Sequence, residues 1–156
     1  MFSNDSVVNA RKAFFEEFEK KTGEAVVNVE FVSFRAEKKV YEMFRLKPSL
    51  GEDDMSGLIV FCEKSLYFYS FPTDNYFRLM LQQIAGNQKN EEQSFRLSDL
   101  SSVELSCMKT KWYSFLFPEQ SRTLNVRGNY CGLDADFSLI FMKKATLVLE
   151  QMKKYF

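Results

Sequence analysis

The sequence predicts an α+β fold: a small antiparallel β-barrel of two orthogonal sheets, capped by a C-terminal helix and carrying an added N-terminal helix. Three observations lead there. Residues 57–71, GLIVFCEKSLYFYSF, read as two strands folded back on a Glu63-Lys64-Ser65 turn. Residues 94–106, SFRLSDLSSVELS, supply a further strand, and the chain closes on a helix with one apolar stripe. A sheet wrapped on itself leaves an open end, which an amphipathic helix can close.

The first element is a punctuated helix. Ser3, Asn4, Asp5 and Ser6 offer N-cap oxygens, and acidic Asp5 suits the positive end of the helix dipole. Val7, Ala10, Phe14 and Phe18 recur at spacings of three and four, with Val8 and Phe15 widening the stripe. Lys20 and Lys21 fall in the last turn, and Gly23 stands where a left-handed C-cap is needed. The polar face mixes Arg11, Lys12 and Lys20 with Glu16, Glu17 and Glu19, so the helix packs on its own domain; a membrane-surface helix keeps that face basic.

Residues 25–34 are β-branched and aromatic and read as a strand. Residues 38–46 fit either a helical turn or another strand, because Val40, Met43 and Phe44 follow a helical period and Tyr41 does not. Residues 47–56 combine Pro, Gly and an acidic run, and read as a loop. The 57–71 hairpin is apolar on both faces, so an element beyond the core must cover the second one: the N-terminal helix, a following helix or another subunit.

Residues 74–86 fit a short helix, with Asp74 as cap, Phe77, Met80, Leu81 and Ile84 as stripe and Gly86 as stop. Strands follow at 112–117, 122–127 and 136–142, separated by a turn at 118–121 and a looser loop at 128–134. Residues 143–156 form the closing helix, with Ala145, Val148, Leu149, Met152 and Tyr155 or Phe156 inward. No repeat or linker divides the chain. Residues 1–156 form one domain, with 1–23 as a helical addition to a barrel and capping helix from about 25 to 156.

Composition bounds the function. Lysine plus arginine equal aspartate plus glutamate at 21 each, so no global field draws the chain to nucleic acid. With 46% hydrophobic residues and 17 phenylalanines, a large aromatic core is expected and disorder is excluded. Cys62, Cys107 and Cys131 lack metal-ligand spacing, and histidine is absent, which argues against a zinc site and a disulfide scaffold. Without histidine the usual general base is missing, and no phosphate-loop or dinucleotide motif is present, so neither an enzyme nor a cofactor is expected. Glu52, Asp53 and Asp54, and the pair Asp134 and Asp136, read as solvated acids. Residues 1–18 place charges where a signal peptide needs an apolar run, and no window is long enough to span a bilayer. The expectation is a soluble cytoplasmic protein without a transmembrane segment.

A hairpin, a strand reading Phe95-Arg96-Leu97-Ser98-Asp99-Leu100-Ser101-Ser102-Val103-Glu104, three short strands and a terminal helix resemble the pleckstrin-homology superfold. GRAM-like and bacterial pleckstrin-homology-like modules are the nearest branches. They often carry a Gly-x-apolar-x-apolar strand, a turn and an aromatic strand, as 57–71 does. An Arg-Leu-Ser-x-apolar-x-x-Val-Glu strand often follows, as 96–104 does. The resemblance covers 57–156. It implies a non-catalytic binding module, for a protein or peptide partner or a second copy of itself, or for anionic phospholipid at a membrane.

Members that bind phosphoinositides carry paired basic residues in the loop after the first strand. Here 47–56 holds one lysine against three acids, 72–93 offers only Arg78 and Lys89, and 128–136 has no basic residue. Lys109 and Lys111, beside Trp112 and Tyr113, form the alternative anion or lipid patch. Relatives often bind peptides between the fifth strand and the terminal helix. The resemblance places that groove at Trp112, Tyr113, Phe115 and Phe117 from a strand and Met152, Tyr155 and Phe156 from the helix. Protein binding or self-association is therefore the first reading and phospholipid the second.

Overall fold

The computed structural model describes residues 4–48, 54–70, 93–107 and 116–156. Helix α1 (Asn4–Thr22) ends where its sequence signals place the stop. Gly23 has φ 74°, and its amide donates to the Glu19 carbonyl oxygen at 2.8 Å. Ala10, Phe14 and Phe18 are buried, whereas Val8 is 63% exposed and does not widen the stripe as its spacing suggests.

Strand β1 (Val26–Ala36) follows, and residues 38–46 resolve as helix α2 (Lys38–Met43) with a short tail. Tyr41 does not fit a one-sided stripe because α2 lies over the core with Val40, Tyr41, Phe44 and Leu46 all buried. The Tyr41 hydroxyl donates to the Phe34 carbonyl oxygen at 3.0 Å. Then come β2 (Asp54–Cys62), β3 (Leu66–Ser70), β4 (Gln93–Arg96) and β5 (Ser101–Cys107). The stretch expected as one strand over 94–106 is thus two strands, broken by a 3-10 turn at Leu97–Asp99. The 118–121 turn is instead a short helix, α3 (Pro118–Arg122), since proline suits a first helical turn as well as a bend. Strands β6 (Thr123–Tyr130) and β7 (Leu133–Phe141) join through a tight turn at Cys131 and Gly132, not a loose loop. Helix α4 (Ala145–Met152) and a 3-10 turn at Lys153–Tyr155 end the fold, with Ala145, Val148 and Met152 buried. The expected helix over 74–86 and most of the expected 112–117 strand lie outside the described residues. No helix among the described residues is long and apolar enough to cross a membrane.

The seven strands form one antiparallel sheet in the order β4-β3-β2-β1-β7-β6-β5. Two meanders, β1 to β4 and β5 to β7, meet in the β1–β7 ladder, where Phe34 pairs with Leu139. The sheet bends sharply. Phe95 on β4 and Tyr130 on β6 are five strands apart in this order, about 24 Å in a flat sheet, yet their ring centroids lie 5.3 Å apart. Phe34 packs between Phe68 at 4.9 Å and Phe137 at 4.8 Å, and Phe44 stacks on Phe95 at 3.9 Å. On the other face, Phe14 and Phe18 of α1 cover Leu58, Val60, Cys62 and Tyr69. The N-terminal helix is therefore the cover that the two-faced hairpin requires.

One glycine is fixed by this packing. A Cβ at Gly57 would collide with the Tyr69 carbonyl oxygen and approach the Phe68 ring at 2.8 Å. Gly57→Ala is expected to cost about 1–3 kcal/mol, the usual range for overpacking, read as a lower midpoint in urea unfolding.

A polar clamp ties the α1–β1 corner to the hairpin. The Glu24 carboxylate accepts from the Lys64 amide at 3.0 Å and the Tyr67 hydroxyl at 3.1 Å, and Arg96 donates to Ser65 at 2.6 Å. Burial pushes the Glu24 carboxyl up. The hydrogen bonds from Ser65, Tyr67 and the Lys64 amide, with the Arg96 charge, outweigh it, so the group sits below its ordinary 4.5. Its contribution to stability is then complete above that value and lost as pH falls through the lower folded-state value. Glu24→Gln should be less stable at pH 7 and decline less steeply below pH 4.5, which acid titrations of unfolding midpoints would measure.

Candidate functional site

Strand β5 reads Ser101-Ser102-Val103-Glu104-Leu105-Ser106-Cys107, a strict alternation of polar and apolar residues from Ser102 onward. In a sheet that alternation sends Val103, Leu105 and Cys107 to one face and Ser102, Glu104 and Ser106 to the other. Ser102 has φ 51°, and the β5–β6 register shifts between Ser101 and Glu104, which marks a bulge at the strand's entry. Beyond it, Glu104 pairs with Arg127 and Cys107 with Leu124. Among the described residues β5 pairs with β6 alone, so it is an edge of the sheet.

Helix α4 lies against β5 and β6. The C-terminal segment from Lys143 to Tyr155, which contains α4, also reaches the opposite meander. Lys143 holds Glu30 at 2.7 Å, Asn28 donates to Gln151 at 3.4 Å, and the Tyr155 hydroxyl donates to the Cys62 carbonyl oxygen at 2.7 Å. The segment is thereby anchored on β1 and β2 while the flank of α4 meets β5. Along that flank the core stays partly open: Val103, Leu105 and Cys107, and Leu149 of α4, pack on the core but are only half-buried. Among the described residues the outer backbone groups of this edge meet no other strand, and such an edge beside a half-open apolar row can hydrogen-bond an extended chain and shelter alternate side chains.

The outer face of the same strands is polar. Ser106, Asn125, Ser138, Arg35 and Asp54 form one rung across β5, β6, β7, β1 and β2, and Glu104, Arg127 and Asp136 lie on the next outward rung. They line an open concavity of about 1240 Å³. Arg35 bonds Asp54 through two nitrogens at 2.7 and 2.9 Å and Glu119 at 3.0 Å, and these hydrogen bonds raise its pKa further. Arg127 meets Asp136 at 3.2 Å, and Ser138 donates to Asn125 at 2.8 Å. Asp54 and Asp136 are thus tied to arginines. Among the described residues no group of three or more His, Cys, Asp or Glu is placed to hold a metal ion.

The residues expected to bind a partner are distributed unevenly. Trp112, Tyr113 and Phe115 lie outside the described residues, as do Lys109 and Lys111. Phe117 precedes α3 and is 51% exposed; α3 itself lies against α4 and β7. Met152 is fully buried and belongs to the core, so it offers no docking surface in this fold. Tyr155 is half-buried with its hydroxyl engaged, and Phe156 is exposed. The described edge strand beside α4 is Ser101–Cys107, upstream of 112–117. Its alternation is plain in the sequence; its place at the sheet edge is not.

No protein-family model matches this sequence, and no curated protein is similar enough to it to count as a relative.

The three cysteines report on this geometry. Burial pushes the Cys62 thiol up to about 12, with Glu24 and Glu19 adding to the rise. Burial also raises Cys107, against the nearby charge of Lys153. Cys131 is exposed at the β6–β7 turn. A thiol-specific disulfide reagent at pH 8 should therefore modify Cys131 at once, Cys107 slowly, and Cys62 only after unfolding. Mass spectrometry of the time course gives the order.

Proposed function

We propose that this chain is a non-catalytic cytoplasmic binding module of the pleckstrin-homology type, whose β5–α4 edge takes up an extended segment of a protein partner. The observation that carries the reading is the edge position of β5 among the described residues, with Val103, Leu105, Cys107 and Leu149 half-buried beside it. Strand addition there supplies backbone hydrogen bonds, and the apolar row shelters every second side chain. The barrel-like architecture is supported by the two meanders, by the Phe95–Tyr130 contact between them, and by the C-terminal segment, whose α4 touches β1 on one side and β5 and β6 on the other and whose Tyr155 reaches β2.

A second reading, anionic phospholipid binding, has one observation in its favour. The connection after β1 begins at Glu37, earlier than the sequence boundary at Lys47, and so adds Lys38, Lys39 and Arg45 to that rim. Lys38 and Lys39 are paired with Glu42 and Glu37, which weakens their pull on a headgroup.

Amide shifts in nuclear magnetic resonance titrations distinguish the two. A ten-residue peptide alternating valine and serine should perturb β5 and α4, and Leu105→Asp should abolish the effect. Shifts confined to 38–47 on adding vesicles of phosphatidylcholine, phosphatidylserine and phosphatidylinositol phosphate, with none from the peptide, would overturn the protein-binding reading.

A further inference from the structure

If β5 receives a strand, as proposed above, the outward face of that strand meets Glu104. This carboxylate is exposed at the middle of the edge strand, and among the described residues it has no hydrogen bond or ion pair. Its neighbour across the β5–β6 ladder, Arg127, is committed to Asp136. Among the described residues that line the concavity the same sign is in excess, with Arg35 and Arg127 set against Glu37, Asp54, Glu104 and Asp136. A residue directly opposite on an added strand has its Cβ about 4.5–5.5 Å from that of Glu104, close enough for an ion pair.

We propose that the segment bound along β5 carries a lysine or arginine between two apolar residues. The apolar pair faces Val103 and Leu105, and the basic residue stands opposite Glu104. Charge also argues against a second copy as occupant. Glu104 is the central residue of β5, so two such strands paired antiparallel about their centres would bring carboxylate against carboxylate, which is destabilising. The excess of acid around the groove draws a basic segment in and repels an acidic one.

Two fluorescent ten-residue peptides alternating serine and valine, identical except for lysine or glutamate at one central outward position, test this by anisotropy. The lysine peptide should bind the wild-type chain about 3- to 5-fold more tightly at low salt, with the gap closing at high salt. Glu104→Lys should invert the preference, and Glu104→Gln should erase it. Equal binding of both peptides, or a preference that Glu104→Lys leaves unchanged, overturns the charge rule while the groove stands. If neither peptide binds a folded wild-type chain, the groove reading itself fails. A dimer in sedimentation that is unaffected by Glu104→Lys and competes with the peptides would make the second copy the occupant and overturn the proposal.

Discussion

The contact on which the rest of the structure depends is Phe34 held between Phe68 and Phe137. Phe34 lies on the central strand, Phe68 on one meander and Phe137 on the other. Seven strands in a single antiparallel order would otherwise be free to extend as a twisted ribbon with both faces wet. Face-to-face burial of aromatic rings supplies the driving force to bend it, because each ring removes a large area from water. Gly57 leaves the space that the Phe68 ring occupies, and Phe44 carries the ring contacts on to Phe95 and Tyr130. Most phenylalanines among the described residues are thus spent inside the fold.

The bend also determines what each outer surface can be. On the β2–β3 side the outer row is Leu58, Val60 and Tyr69, and α1 covers it with Phe14 and Phe18. Past Gly57 the same face turns polar at Ser56 and Asp54, and no helix is needed to cover it. The change happens within one strand, so β2 serves two environments on a single side. The open half is where Arg35, Asp54 and Glu119 assemble their ion pairs, and Arg35 and Asp54 line the same concavity as Glu104 on the far edge strand.

Much of this order was legible in the sequence, wherever local chemistry decides it. Helix α1 was readable because its caps and its stripe lie within a few residues of one another, and Gly23 stops it as its backbone freedom suggests. The interruption at Leu97–Asp99 was easily passed over, since no glycine or proline marks it and only the doubled polar steps Ser98-Asp99 and Ser101-Ser102 break the alternation. Pro118 announces a chain reversal and the first turn of a helix equally well, and only packing on β7 and α4 chooses between them. The site was half legible. Val103, Glu104 and Leu105 show their alternation openly, but that β5 is an edge follows from the long-range ladder order. Arg35 meets partners 19 and 84 positions away, Asp54 and Glu119, and no local pattern signals such a meeting. Met152 illustrates the converse: its helical spacing identified an inward residue correctly, and that burial removes it from any surface.

The bulge at Ser102 has a bearing on solubility. A regular edge strand is a template on which sheets can grow without limit, and proteins guard such edges with irregularities and charges. Here the left-handed backbone at Ser102 kinks the strand's entry, and Glu104 sets a charge at its centre. Among the described residues, a short run from Glu104 to Cys107 keeps regular pairing and could template another chain. The edge is therefore guarded against runaway sheet extension and fibril growth, while that short stretch stays available to one small guest.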